Sequence, residues 1–92
     1  MSRGHKIIMQ WYVYIAKAKT GFYYTGITTS PKERITKHNK GIGSQMGKQQ
    51  GPFVLVYISP LFGSKSEARK REAQIKRWSR EKKEKLIRGD WI

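Results

Sequence analysis

A small α/β (α+β) domain built on one core is what the sequence predicts, and three observations carry the prediction. Runs of β-branched and aromatic residues stand at 11–16, 22–27 and 53–58, the signature of short strands. Ser30-Pro31-Lys32-Glu33 and Ser64-Lys65-Ser66-Glu67 are helix-opening sequences placed between and after those runs. Finally, 92 residues with 37% hydrophobic content supply one core. Two cores would leave each half near the ~40-residue limit below which chains need disulfides or metals.

Trp11-Tyr12-Val13-Tyr14-Ile15-Ala16 reads as the first strand and Phe22-Tyr23-Tyr24-Thr25-Gly26-Ile27 as the second. The polar stretch Lys17 to Gly21 joins them as a hairpin. A turn centred near Lys19 sets Tyr14 opposite Tyr24, so both phenols share one face of the sheet. In the first helix Ser30 caps, Pro31 fits the first helical position and Glu33 completes the capping box. That helix reaches about Asn39, with Gly41 available to end it. Arg34 and His38, four residues apart, lie on one helical face. Residues 40–52 hold Gly41, Gly43, Gly47, Gly51 and Pro52 and read as a loop, from which Lys40 and Lys48 can reach phosphates. Phe53 to Ile58 is apolar without alternation, as in a strand covered on both sides. A second helix runs from Ser64 to about Trp78, and a third, opened by Ser79, carries Leu86 and Ile87.

Charge narrows the function. Twenty Lys and Arg against six Asp and Glu give a formal net charge of +14. Such self-repulsion contributes nothing to folding and points to a polyanionic partner: nucleic acid, acidic lipid or an acidic protein. The alternative at this level is a basic surface with no partner. There is no cysteine, which excludes disulfides, thiolate nucleophiles and cysteine-ligated zinc. No apolar run approaches the ~20 residues of a membrane helix, and the first ten residues have no secretory pattern. The expected setting is therefore cytoplasmic, with no membrane contact.

The most informative residue is Glu72. At 100° per residue, Ala68, Glu72, Ile75 and Ser79 fall on a narrow stripe of the second helix, which makes Glu72 an inward carboxylate. An unpaired buried carboxylate costs several kcal/mol, so Glu72 should meet a cation, a metal or hydrogen-bond donors. A structural ion pair with one of the many Lys or Arg residues satisfies that requirement as well as a metal does. Sites needing several converging carboxylates are excluded, because the other acids lie at helix starts or in solvated lysine-rich stretches. One Mg²⁺ held by a single carboxylate, waters and phosphate fits.

Read together, these residues resemble the GIY-YIG nuclease family. Tyr12-Val13-Tyr14 stands where its first motif would be, and Tyr24-Thr25-Gly26, ten residues on, where its second would be. Arg34-Ile35-Thr36-Lys37-His38-Asn39 is similar to its R-x-x-x-H-N helix, and Gly51 to Tyr57 to its third strand. Ser66-Glu67-Ala68 through Glu72 to Ile75-Lys76, then Trp78-Ser79-Arg80, resembles its metal-ligand helix. The resemblance is nearest to short stand-alone members related to the catalytic subunit of a junction endonuclease. Tyr12, Val13 and Thr25 depart from the motif letters, and Gln45 stands where a basic residue is common, with Lys48 as its substitute.

The resemblance implies a three-stranded antiparallel sheet flanked by helices over residues 9–88, with 1–8 an N-terminal extension and 89–92 a tail. It implies an endonuclease hydrolysing phosphodiester bonds in DNA (RNA not excluded), directed by structure rather than sequence. Mg²⁺ or Mn²⁺ would sit on Glu72. Tyr14 would be the general base, with Tyr24 positioning water or phosphate, Arg34 stabilising phosphoryl charge and His38 hydrogen-bonding nearby. Arg34, Asn39, Lys40 and Lys48 would hold nucleic acid. A free phenol titrates near ~10, so Arg34, local lysines and metal-bound water are expected to help Tyr14 act as a base. The alternatives are a non-catalytic basic nucleic-acid-binding domain and a subunit that needs a protein partner.

Overall fold

The computed structural model describes residues 10–40 and 52–90. β1 (Tyr12–Lys17) and β2 (Tyr23–Thr28) form the expected hairpin, closed by Ala18 N–H to Phe22 O at 2.8 Å and Gly21 N–H to Ala18 O at 2.8 Å. Gly21 takes the left-handed turn position, φ 97°, which a side chain would strain. The register differs from expectation: Tyr14 faces Gly26, and Tyr24 faces Ala16. The turn is thus centred on Thr20, one residue later than the sequence suggests, which slides the pairing by two residues. Because the slide is even, both tyrosines keep the same face, as diagonal neighbours instead of direct partners.

α1 (Pro31–Asn39) follows. Its last residue is pinned through the Asn39 amide, which donates from Nδ2 to Phe53 O at 3.0 Å and accepts Phe53 N–H on Oδ1. That two-way bond sets the spacing between α1 and β3 (Val54–Ile58). β3 pairs antiparallel with β1, so the sheet order is β2-β1-β3 with β1 central. The β1–β3 register shifts between Ile15, opposite Tyr57, and Ala16, opposite Leu55, which leaves Val56 as an extra residue. This bulge explains the missing alternation in the apolar run: Leu55 packs on one side of the sheet, Val56 and Tyr57 on the other. Beyond β3, Ser59 extends the ladder, its N–H donating to Val13 O and its Oγ accepting from Val13 N–H.

α2 (Lys65–Lys76) starts at Ser64, whose side chain accepts from Glu67 N–H, and stops two residues before the expected Trp78. α3 (Arg80–Arg88) has Ser79 as its N-cap and ends on Gly89 at φ 75°. No helix among the described residues is long and apolar enough to cross a membrane.

Alternation along β1 divides the interior. Val13 and Ile15 point to the α2/α3 side and pack with Ile27, Ala68, Ile75 and Leu86. Tyr14, Ala16, Ala18 and Phe53 form a second cluster on the α1 side, joined by Tyr24, Ile35 and Leu55. Ala68 and Ile75 are both fully buried, as their helical spacing predicts. Trp11 and Trp78 pack against the first cluster. The expected extension at 1–8, Gly41, Gln45, Lys48 and Trp91 lie outside the described residues.

Thr25, opposite Ile15, faces the α2 side with its buried Oγ1 lacking any hydrogen-bond partner. An orphaned buried hydroxyl costs on the order of 1–3 kcal/mol. Thr25→Val, which keeps the shape and removes the hydroxyl, should therefore raise stability by about 1 kcal/mol in urea unfolding. A lower denaturation midpoint would show that the hydroxyl is bonded in solution.

Candidate active site

The site begins with a glycine. Gly26 sits on edge strand β2 directly opposite Tyr14 on the central strand. A Cβ at Gly26 would lie 2.6 Å from the Tyr14 phenol oxygen, 2.7 Å from Cζ and 2.8 Å from Cε2. The ring therefore lies flat across Gly26, and a planar ring cannot bend away from a methyl group. This placement carries the phenol oxygen out over the edge strand, although Tyr14 as a whole is only 7% exposed. Tyr24, two residues before Gly26, is half-buried on the same face, its ring edge-on to Phe53 at 5.6 Å between centroids. The two phenols share one side of the sheet, as the sequence predicts.

Opposite charges flank Tyr14. From α1 comes the exposed Arg34, which also lines a polar cavity of about 190 Å³ with Thr28, Thr29, Ser30, Glu33 and Lys37. From α2, on the other layer, comes Glu72, one helical turn from Ala68 and just short of Ile75, its side chain only 12% exposed. The inward carboxylate is present as predicted. It is also paired: Lys76 Nζ lies 3.2 Å from Glu72 Oε2, so the structural ion-pair reading has its partner.

Both charges reach the Tyr14 phenol. Burial raises its pKa above 10.0, the Arg34 guanidinium opposes that rise, and the Glu72 carboxylate adds to it. Arg34 eases ionisation as expected, but the net direction is upward. Loss of water around the ring outweighs the single cation. Tyr14 is thus a neutral phenol at neutral pH, a hydrogen-bond donor as well as an acceptor.

The other predicted residues separate. Asn39 uses both amide atoms on Phe53, which gives it a positioning role between α1 and β3. Lys40 is exposed at the end of α1. His38 lies in α1, but its side chain, like Lys48, is outside the described residues. Among the described residues no three acids or histidines converge on one point. Glu72 alone could hold a cation, and one shielded carboxylate suits Mg²⁺, which keeps most of its water and takes phosphate oxygens for the rest. An ion bound at Oε2 would compete with Lys76 for that oxygen.

Three contributors escaped the sequence reading: Lys76 as the partner of Glu72, the orphaned Thr25 hydroxyl, and Gly26 as the bed of Tyr14. Two had a signal: a glycine inside a strand often marks close approach, and Lys76 stands four residues after Glu72 on the same helix.

The raised phenol has a measurable consequence. Because its folded pKa lies above the unfolded value, its stabilising contribution is complete below pH ~10 and is lost as pH rises through the folded value. Burial also raises Tyr23 and Tyr57, so absorbance titration of the metal-free protein should show three late-ionising tyrosines, one of which disappears in Tyr14→Phe. In Gly26→Ala, the displaced and better-hydrated ring should titrate earlier. Unchanged late ionisation in Tyr14→Phe would assign it elsewhere.

Known proteins bear on this geometry. The UPF0213 protein of Staphylococcus haemolyticus is 50% identical over 76 residues, which cover 83% of this chain and 92% of the relative. The solution NMR structure of the UPF0213 protein of Bacillus halodurans superposes with a TM-score of 0.54 at 46% identity, over 86% of this chain and 83% of that one. A solution NMR structure from E. faecalis gives 0.58 at 33% identity, with the same two coverages. The UPF0213 name specifies no reaction. Residues 10–85 match the GIY-YIG catalytic domain, and this chain belongs to that family of DNA-acting nucleases.

Proposed function

We propose that this chain is a metal-dependent endonuclease that hydrolyses phosphodiester bonds in DNA and selects its substrate by structure. The observation that carries the reading is the Tyr14 phenol, held across Gly26 at the sheet edge with Arg34 and Glu72 acting on it from opposite layers. A phosphate placed there meets a guanidinium, a phenol and a carboxylate that can hold a cation. Phosphoryl transfer needs little else, because it is carried by positioning and by stabilisation of charge.

In the proposed roles, Arg34 takes the non-bridging phosphoryl oxygens and Tyr24 positions the water or the phosphate. Tyr14 hydrogen-bonds the attacking water and accepts its proton once the phenol has ionised. Water attacks phosphorus, the P–O3′ bond breaks, and the leaving oxygen takes a proton to become a 3′-hydroxyl. A divalent ion on Glu72, Mg²⁺ or Mn²⁺, would supply positive charge for the scissile phosphate and the departing oxygen. His38 belongs to this proposal through the R-x-x-x-H-N motif.

The ion pair between Lys76 and Glu72 favours a second reading, a basic domain that binds nucleic acid without cutting it or that needs a partner. The comparison is wild type against Glu72→Gln on linear, flapped and four-way DNA, with and without Mg²⁺. Wild type should cut in Mg²⁺, and the variant should lose about 100-fold or more in rate while binding at least as well. Binding without cutting by wild type, with any divalent ion, would favour the second reading.

The raised phenol also fixes a pH profile. With Tyr14 as the base, single-turnover cleavage should rise through about pH 7 to 9, because the ionised fraction grows towards a pKa that lies higher still. A flat rate over that interval would remove Tyr14 from the base role.

A further inference from the structure

Lys65, Arg69, Glu72 and Lys76 follow one another on α2 at intervals of four, three and four residues. At 100° per residue they occupy an arc of about 60°, beside the buried stripe of Ala68 and Ile75 and away from the outward Lys70 and Arg77. The arc rises about 16 Å from Lys65 to Lys76. The three cations are solvent-exposed, while the Glu72 side chain between Arg69 and Lys76 is 12% exposed.

Charge pairing within the described residues accounts for only one cation of this row, Lys76. Like charges four residues apart, as Lys65 and Arg69 are, destabilise a helix by roughly 0.2–0.5 kcal/mol. Among the described residues neither has a carboxylate partner. Lys65 rests over the Trp11 ring, its Nζ 5.2 Å from the centroid, a contact that orients the ammonium without neutralising it. Lys76 alone is compensated, by the same Glu72 that acts on Tyr14. The row therefore leaves the charges of Lys65 and Arg69 uncancelled along the α2 layer beside Glu72, on the other side of the sheet from the cations of α1.

We propose that this α2 flank, Lys65, Arg69 and Lys76, is a phosphate-backbone track that carries one DNA strand past Glu72. A rise of about 16 Å spans roughly five phosphate steps at about 3.4 Å per nucleotide, so Lys65 and Arg69 meet phosphates about two steps apart and Lys76 one about three steps further, with the phosphate opposite Glu72 left for the ion-bound one. When the strand and its cation arrive, Lys76 exchanges Glu72 for a phosphate. The track rests on the nuclease reading only for its direction past Glu72. Its contacts are electrostatic and exist without chemistry.

The test is a salt titration of binding to a fluorescently labelled flapped DNA in EDTA, where no cleavage occurs. Lys65→Ala/Arg69→Ala/Lys76→Ala should lower the magnitude of the slope of log affinity against log salt by about 1.4 to 1.8, the worth of Lys65 and Arg69, because without a divalent ion Lys76 stays on Glu72. The single Arg69→Ala should lower it by about 0.7 to 0.9. The matched variant Lys70→Ala/Arg77→Ala/Lys85→Ala, with charges outside the row, should change it by less than half as much as the triple. Equal slopes for the two triples, or no change in Arg69→Ala and the track triple, would overturn the track. Cleavage by wild type is scored separately in Mg²⁺. A track effect without any cleavage would retire the nuclease reading alone, and cleavage with an unchanged slope would retire the track alone.

Discussion

The pairing of Tyr14 with Gly26 is the constraint on which the rest of the site depends. β1 is the central strand and its odd-numbered residues Val13 and Ile15 fill the larger core cluster. A slip of one residue would send Tyr14 into that core and Ile15 towards α1, so burial of the apolar residues fixes the face of the phenol. The face alone does not deliver the oxygen to the edge. That needs a neighbour on β2 with no side chain, and Gly26 is the residue in register. Two unrelated demands, a dry core on one side and an open bed on the other, thus meet in a single strand pairing.

The second organising feature is how this chain manages its excess of positive charge. Some cations are compensated by acids, as in Arg80 with Glu84 and Arg88 with Asp90. Others lie over rings, as Lys65 over Trp11 and Arg71 over Trp78 do. The two arrangements differ in what they leave outside. An ion pair cancels the local field, whereas a ring restrains a long side chain and leaves its field intact. A surface meant only to be soluble gains from the first. A surface that meets a polyanion gains from the second, because part of the side-chain entropy has already been lost before the ligand arrives.

Much of this architecture was readable from residue types, and the failures have physical causes. Ser64 and Ser79 reappear as the N-caps of α2 and α3, and Ser30 immediately precedes α1, because capping is local chemistry. The inward setting of Glu72 follows from helical period alone. Strand pairing is a property of two segments, so the hairpin centre was displaced by one residue and the bulge at Val56 left only a loss of alternation as its trace. The direction of the Tyr14 shift was out of reach, since a sequence shows the nearby Arg34 but not how much water the fold removes from the ring. Lys76 was half hidden for a similar reason: it sits on the shoulder of the stripe, where only a side-chain conformation decides whether it faces solvent or Glu72.

On the proposed reading, the arrangement without substrate is a resting one, held by two mutually consistent restraints. Lys76 neutralises Glu72, which softens the field that opposes ionisation of Tyr14, but burial still keeps the phenol protonated. Glu72 would hold a divalent ion in place of the ammonium, and the ion would supply two positive charges where there was one. Lys76 would then be free for the DNA backbone, and the Tyr14 phenol would give up its proton more readily. Neither event helps unless a phosphate is present to receive the freed ammonium. Readiness for chemistry is in this way tied to occupancy, through a carboxylate and an amine on α2 and a phenol on β1.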